Sequence, residues 1–184
     1  QRSDPGSGKR PDLSPMYTAE LKIDGLKIVL EYEKGILKTA ATRGDGVVGE
    51  DVTANVKTIE SVPLRLNRAI DIIVEGEVWM PKSHLAALNK IQKEKGLPGY
   101  ANPRNVAAGS IRQLDARIAA SRQLDTFIYD IGRSEVEIPK TQFEELKFIQ
   151  KLGFKVNPHF LLCRTIGEVI AYWKEWKRRA RGED

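Results

Sequence analysis

The sequence predicts an α+β fold of antiparallel sheets with flanking helices, and three observations carry that expectation. Residues 17–42 group β-branched and apolar residues about a Glu33-Lys34-Gly35 turn, the pattern of an antiparallel meander. Two further stretches, 70–80 and 126–131, are rich in the β-branched and aromatic residues that suit strands. Residues 82–95, 140–152 and 165–181 instead repeat apolar side chains every three or four positions, the period of a helix with one apolar face.

Residues 1–15 hold three prolines, two glycines and three serines without apolar periodicity, and read as a flexible tail. Residues 16–184 are then one domain. Strands are expected over 17–23, 27–33 and 36–42, with Arg43 at the head of the Gly44-Asp45-Gly46 loop. A short helix over 52–59 has Glu50 and Asp51 near its positive end, and Pro63 lies beyond it. In the strand over 70–80, Ile70, Ile72 and Val74 share one side, while Glu75 and Glu77 share a face two residues apart. His84 on the helix over 82–95 has no triad or metal-ligand partner nearby in sequence, and reads as a surface or capping residue. His159 reads the same way. Residues 96–103 are turn-rich. The helix expected over 105–114 has Ala107, Ala108 and Gly109, which permit close approach of another backbone. Along 126–131 Tyr129 alternates with Ile128 and Asp130, so either side of that strand can face the core. Phe143, Leu146 and Ile149 mark the apolar stripe of the helix over 140–152, and 156–163 is strand-like. In the last helix Ile166, Val169, Ile170, Trp173 and Trp176 read as core packing. Its basic end suits either a surface facing a polyanion or a solvated helix terminus.

A chain of 184 residues is long enough for a real core. Its 41% hydrophobic and 30% charged residues describe a soluble globular protein. No apolar run approaches a membrane span and the N-terminus lacks a signal-peptide core, so a cytoplasmic protein without a membrane partner is expected. The one cysteine, Cys163, offers no disulfide or metal pattern and reads as packing. A net charge of +5 makes polyanions plausible partners, provided the arginines cluster.

The chemistry concentrates in Glu20-Leu21-Lys22-Ile23-Asp24-Gly25. If the segment is extended, Glu20, Lys22 and Asp24 share one face, and a lysine between two carboxylates can be held by them. Lysine is a nucleophile only as the free amine, and its reference pKa of about 10.4 leaves little of that form at neutral pH. A nearby cationic group, metal or cationic substrate is therefore expected. Taken alone, Lys22-Ile23-Asp24-Gly25 is also an exposed strand face ending in a glycine turn. Glu75 and Glu77 are either a solvated face or a pair able to hold a divalent cation or ribose hydroxyls. Arg104 and Arg112, eight residues apart, suit phosphates if they face one surface, or salt bridging with Asp115 or Glu94.

Four blocks change the weight of these alternatives: Glu20 to Gly25, ATRGDGVVGED over 41–51, EGEVWM over 75–80, and ANPRNVAAGSIRQLD over 101–115. In this order and spacing they resemble the nucleotidyltransferase (adenylation) domain of bacterial NAD-dependent DNA ligases, an ATP-grasp-like ligase fold. The resemblance runs from about Tyr17 to the C-terminus, and the last block is its most specific part. It implies NAD as AMP donor, Mg²⁺, nicked duplex DNA as substrate, and a lysine-AMP intermediate on Lys22, with Asp24 orienting it or binding metal. It further implies that Glu20 reads the adenine amino group beside Ile23, that Arg43 and Glu77 serve the ribose and phosphate side, that Tyr129 stacks on adenine, and that Arg104 and Arg112 contact DNA in nick sealing. The family continues past the point matching Asp184 into two lysine-bearing strands that hold the adenylate phosphate, and has further domains on both sides. The chain is therefore expected to be an incomplete adenylation domain, weak or inactive alone, with the rest of the ligase as a partner. Two other functions fit parts of the pattern: a non-catalytic nucleotide- or DNA-binding module keeping the fold, and an ATP-using ligase or capping enzyme, against which the RGDG and ANPRN blocks argue.

Overall fold

Only the second half of the expected meander forms: the strand over 26–33 pairs with that over 36–42, whereas the strand over 17–19 pairs with residues 161–163 instead. β1 (Tyr17–Ala19), β2 (Leu26–Glu33) and β3 (Ile36–Thr42) come first in this computed structural model, which describes residues 15–44 and 48–180. The tail read over 1–15 lies outside the described residues but for Pro15, as do Asp45, Gly46 and the last four residues. Next come α1 (Thr53–Val56), β4 (Ile72–Trp79), α2 (Lys82–Glu94), α3 (Pro103–Ile111), α4 (Ala116–Ser121), β5 (Asp125–Ser134) and α5 (Gln142–Leu152). β6 (Leu161–Cys163) and α6 (Ile166–Arg179) close the order. The described residues divide into two compact units, one within 20–160 and one drawn from 15–19 and 161–180.

The larger unit is built on a four-stranded antiparallel sheet of order β3-β2-β4-β5. Its β2-β3 hairpin turns through Lys34 (φ 48°) and Gly35 (φ 75°), the two positive φ values that match strand twist in a two-residue turn. A Cβ on Gly35 would lie 2.5 Å from the Arg68 carbonyl oxygen, so the position requires glycine. Side-chain alternation divides the sheet. Ile28, Leu30, Ile72, Val74, Val78 and Ile128 are buried on one face. The alternate positions of β4 and β5, among them Glu75, Glu77, Phe127 and Tyr129, are half-buried on the other. The core also takes Val56, Ile111, Leu146, Ile149 and Leu152 from the helices, all essentially without exposure. Tyr32 is buried there too, packed edge-on against Phe154, and its hydroxyl donates to the Pro63 carbonyl at 2.8 Å.

Helix ends follow local chemistry. α3 begins at Pro103, earlier than the expected 105, because Asn102 caps it by accepting from the Arg104 N–H at 2.8 Å and proline suits the first helical position. α4 was not anticipated. Asp115 caps this short alanine-rich helix through the Arg117 N–H. α5 starts at Thr141, which accepts from the Glu144 N–H, and stops at Gly153 (φ 103°). α1 is shorter than expected, and Pro63 lies seven residues past its end.

In the smaller unit β1 pairs with β6 antiparallel, Thr18 opposite Leu162. Only the last three residues of the strand-like stretch over 156–163 form a strand. Expected core packing along α6 does not occur. None of its residues is buried, and Ile166, Ile170 and Trp173 are 59%, 46% and 56% exposed. Periodicity identifies an apolar stripe but does not supply what covers it. Cys163 is buried, and burial pushes its thiol up.

Candidate functional site

The strand expected over 17–23 stops at Ala19, because residues 20–24 have no ladder partner among the described residues. The alternation nevertheless holds: Glu20, Lys22 and Asp24 are exposed, Leu21 and Ile23 half-buried. Gly25 then crosses β4 so closely that a Cβ would lie 2.2 Å from the Val78 carbonyl oxygen and 2.7 Å from Glu77 Cγ. Only glycine permits this crossing, and it brings the Lys22 segment onto the half-buried sheet face beside Glu77.

Two adjoining cavities of about 330 and 480 Å³ both have Lys22, Glu77 and Tyr129 in their walls, and form the halves of one groove. The smaller half adds Glu20, Ile23 and Phe127. The larger adds the cations Lys27, Arg43, Arg104 and Arg112. Eight of the nine site residues expected from sequence therefore meet here. The ninth, Asp24, lines neither half but accepts a hydrogen bond from Arg104 at 2.9 Å. Arg112 pairs with Glu50 at 2.6 Å. The partners are thus not the Asp115 or Glu94 considered from sequence; Asp115 holds Arg117 instead.

The charges are arranged to be usable. Burial pushes the Glu77 carboxyl up, opposed by the Tyr129 hydroxyl that donates to it at 3.3 Å and by Lys22, Arg104 and Lys27. Burial, together with the Glu77 charge, pushes the Tyr129 phenol up. Glu20, though exposed as a residue, is likewise raised by the partial burial of its carboxyl, with Gln142 opposing and Asp130 adding. Lys27 forms an ion pair with Glu75. A half lined by rings and a carboxylate acceptor suits a flat base with an exocyclic amino group. A half lined by guanidinium and ammonium groups suits phosphates. Among the described residues no three His, Cys, Asp or Glu side chains converge as a metal cage.

Sequence reasoning missed several wall residues. Phe127 stands two positions from Tyr129 on the same strand face, so period-two reading could have found it. Val156 and Asn157 arrive by a tertiary return that no local pattern marks. Gln142, the first residue of α5, donates to the Tyr129 carbonyl at 2.9 Å, and its carboxamide also faces Glu20. His84 holds the Gln123 carbonyl at 3.0 Å through Nδ1, away from the groove.

A family model described as the NAD-dependent DNA ligase adenylation domain matches residues 9–183. A DNA ligase of Thermotoga neapolitana is 56% identical over 168 residues, 91% of this chain and 24% of its own length. The Thermotoga maritima DNA ligase is 55% identical over the same shares, and that of Bacillus cereus 49% identical over 91% of this chain and 25% of its own length. The chain spans about a quarter of the length of these relatives.

Proposed function

The chain belongs to the family of NAD-dependent DNA ligase adenylation domains, and from that premise we propose that it takes an adenylyl group from NAD onto Lys22 for sealing nicks in duplex DNA. The observation that carries this is the position of Lys22, in the wall of both halves of the groove, between a base-shaped pocket and a cluster of cations. The Lys22 amine, having lost its proton, attacks the adenylyl phosphorus. An N–P bond forms, the P–O bond to nicotinamide mononucleotide breaks, and a lysine-AMP phosphoramidate remains. AMP then passes to the 5′-phosphate of a nick, and the 3′-hydroxyl displaces it.

In this reading Asp24, two residues from Lys22 and held by Arg104, orients the lysine or binds metal, while Ile23 and Tyr129 hold the adenine ring and Glu20 accepts from its amino group. Arg43 and Glu77 take the phosphate and ribose, and Arg104 and Arg112 the phosphates of DNA. Mg²⁺ bound with the phosphates beside Glu77 or Asp24 would supply charge neutralisation at phosphorus. The rest of a ligase completes the site, and the reaction belongs in the cytoplasm, where NAD and DNA are both present. No described helix is long and apolar enough to cross a membrane.

A Thermotoga neapolitana DNA ligase carrying this chain in place of its own matching segment tests the proposal. The chimera is expected to gain the mass of one AMP from NAD and to seal nicks. Its Lys22→Ala form is expected to do neither, and a Lys22→Ala chimera that still acquires AMP overturns the assignment. The chain by itself is expected to form little or no adduct.

A further inference from the structure

A second cleft, of about 230 Å³, opens on a neighbouring face of α3. Arg104 and Arg112 line the nucleotide groove, whereas Asn105 and Gln113, each one position further on, and Gly109 between them line this cleft. Its far wall is Arg122 and Tyr100. The Arg122 guanidinium lies over the Tyr100 ring, 5.6 Å from its centroid, and reaches the Tyr100 hydroxyl at 3.5 Å. No carboxylate pairs with Arg122 among the described residues, unlike Arg104 and Arg112, and its Nε–H is buried without an acceptor. Tyr100 itself is fixed from α2, since Asn89 Nδ2 donates to the Tyr100 carbonyl at 2.9 Å and Asn89 Oδ1 accepts from its N–H at 2.7 Å.

Gly109 is the informative residue. A glycine inside a helix weakens it relative to alanine, and the usual compensations are a positive φ or a tight contact. Gly109 has neither: its φ is not positive, and a Cβ built there would meet nothing within 4 Å. The protein's own packing gives no reason for the missing side chain, whereas close approach of an outside group to the helix backbone does. A cation stacked on a tyrosine, the Asn105 carboxamide, the Gln113 carboxamide that donates to the Gly109 carbonyl at 3.0 Å, and a helix surface without a side chain at Gly109 can together meet a negatively charged backbone.

We infer that this cleft is a second contact for the sugar-phosphate backbone of duplex DNA, with a phosphate on Arg122 and a sugar passing over Gly109. The inference rests on the reading that Arg104 and Arg112, on the same helix, face DNA. A nicked duplex bound across both faces of α3 would then be held at two places along its backbone.

Anisotropy titration of a labelled nicked duplex over a range of salt concentrations tests this on the 184-residue chain. Arg122→Gln is expected to weaken binding severalfold whatever the sequence, and to lower the magnitude of the log K against log salt slope by about 0.9, the value of one lost phosphate contact. Gly109→Ala separates binding from folding. It is expected to raise Tm, because alanine favours the helix, yet to weaken DNA binding, a combination that a structural role does not produce. If Arg104→Ala and Arg112→Ala weaken binding while Arg122→Gln and Gly109→Ala keep wild-type affinity and slope, the second contact is overturned and the DNA-facing reading of α3 survives. If the chain binds no duplex, both fall together.

Discussion

Glu77 and Glu20 are carboxylates that the free protein holds at a cost. Burial raises both above the ordinary value of 4.5, so the folded chain keeps their protons to higher pH than the unfolded chain does. Stability is therefore unaffected below about pH 4, where both states are protonated, and falls as pH rises from 4.5 through the folded values. Glu77→Gln removes that penalty. Its Tm should match the parent's near pH 4 and exceed it at pH 7, while the ribose-side role proposed for Glu77 requires that affinity for NAD fall; thermal melts at the two pH values and a calorimetric titration check both. Such a trade of stability for binding is common where function needs a buried charge. Gln142 belongs to the same argument. Its carboxamide joins the Tyr129 carbonyl to the Glu20 side of the pocket, so Gln142→Leu should weaken adenine nucleotides severalfold while leaving circular dichroism unchanged. Equal affinity in the variant would remove Gln142 from the pocket's design.

At the scale of elements, α3 carries both arginines of the groove and depends on its first turn. Removing the Asn102 cap in Asn102→Ala should cost about 1 kcal/mol in urea unfolding, because the Arg104 N–H loses its acceptor. Leu146→Ala in α5 should cost more, about 2–5 kcal/mol, since a fully buried side chain leaves a cavity. The contrast between these elements shows what was legible in the sequence. The β2-β3 hairpin could be read because a two-residue turn with Gly35 is a local fact, and the buried face of β4 because alternation is local too. The start of α3 was misplaced because Asn102-Pro103 reads equally as a turn or as a cap followed by the first helical residue. The side-chain alternation of Glu20 to Asp24 was legible although the strand carrying it was not, since extended backbone alternates with or without a neighbour while a strand needs one. Val156 and Asn157 reach the groove, and Gln142 reaches its wall residues Tyr129 and Glu20, through tertiary returns, which leave no local trace, and the exposure of α6 depends on what surrounds it.

At the scale of the whole molecule, one four-stranded sheet does two jobs: one face buries the core, and the other holds the groove. The unit that carries the chemistry is thus also the one with the large hydrophobic cluster. The smaller unit is differently made. Its sheet has two strands of three residues each, and its helix has no buried residue. A two-stranded ribbon is marginal in water without further strands or a well-packed helix, and stability within a protein follows buried apolar contact. The units should therefore open at different free energies. Hydrogen exchange followed by mass spectrometry should show the amides of Tyr17–Ala19 and Leu161–Cys163 exchanging through local opening, insensitive to low urea. Those of Ile28, Leu30 and Val74 should exchange only through global unfolding, with urea dependence equal to that of the whole transition. Identical protection and identical urea dependence in the two sets would mean that the ribbon folds as one cooperative body with the sheet. Lys22 follows the ribbon by only three residues in the chain, so the exchange rate of its own amide reports whether the proposed nucleophile is fixed by the groove or shares the ribbon's opening.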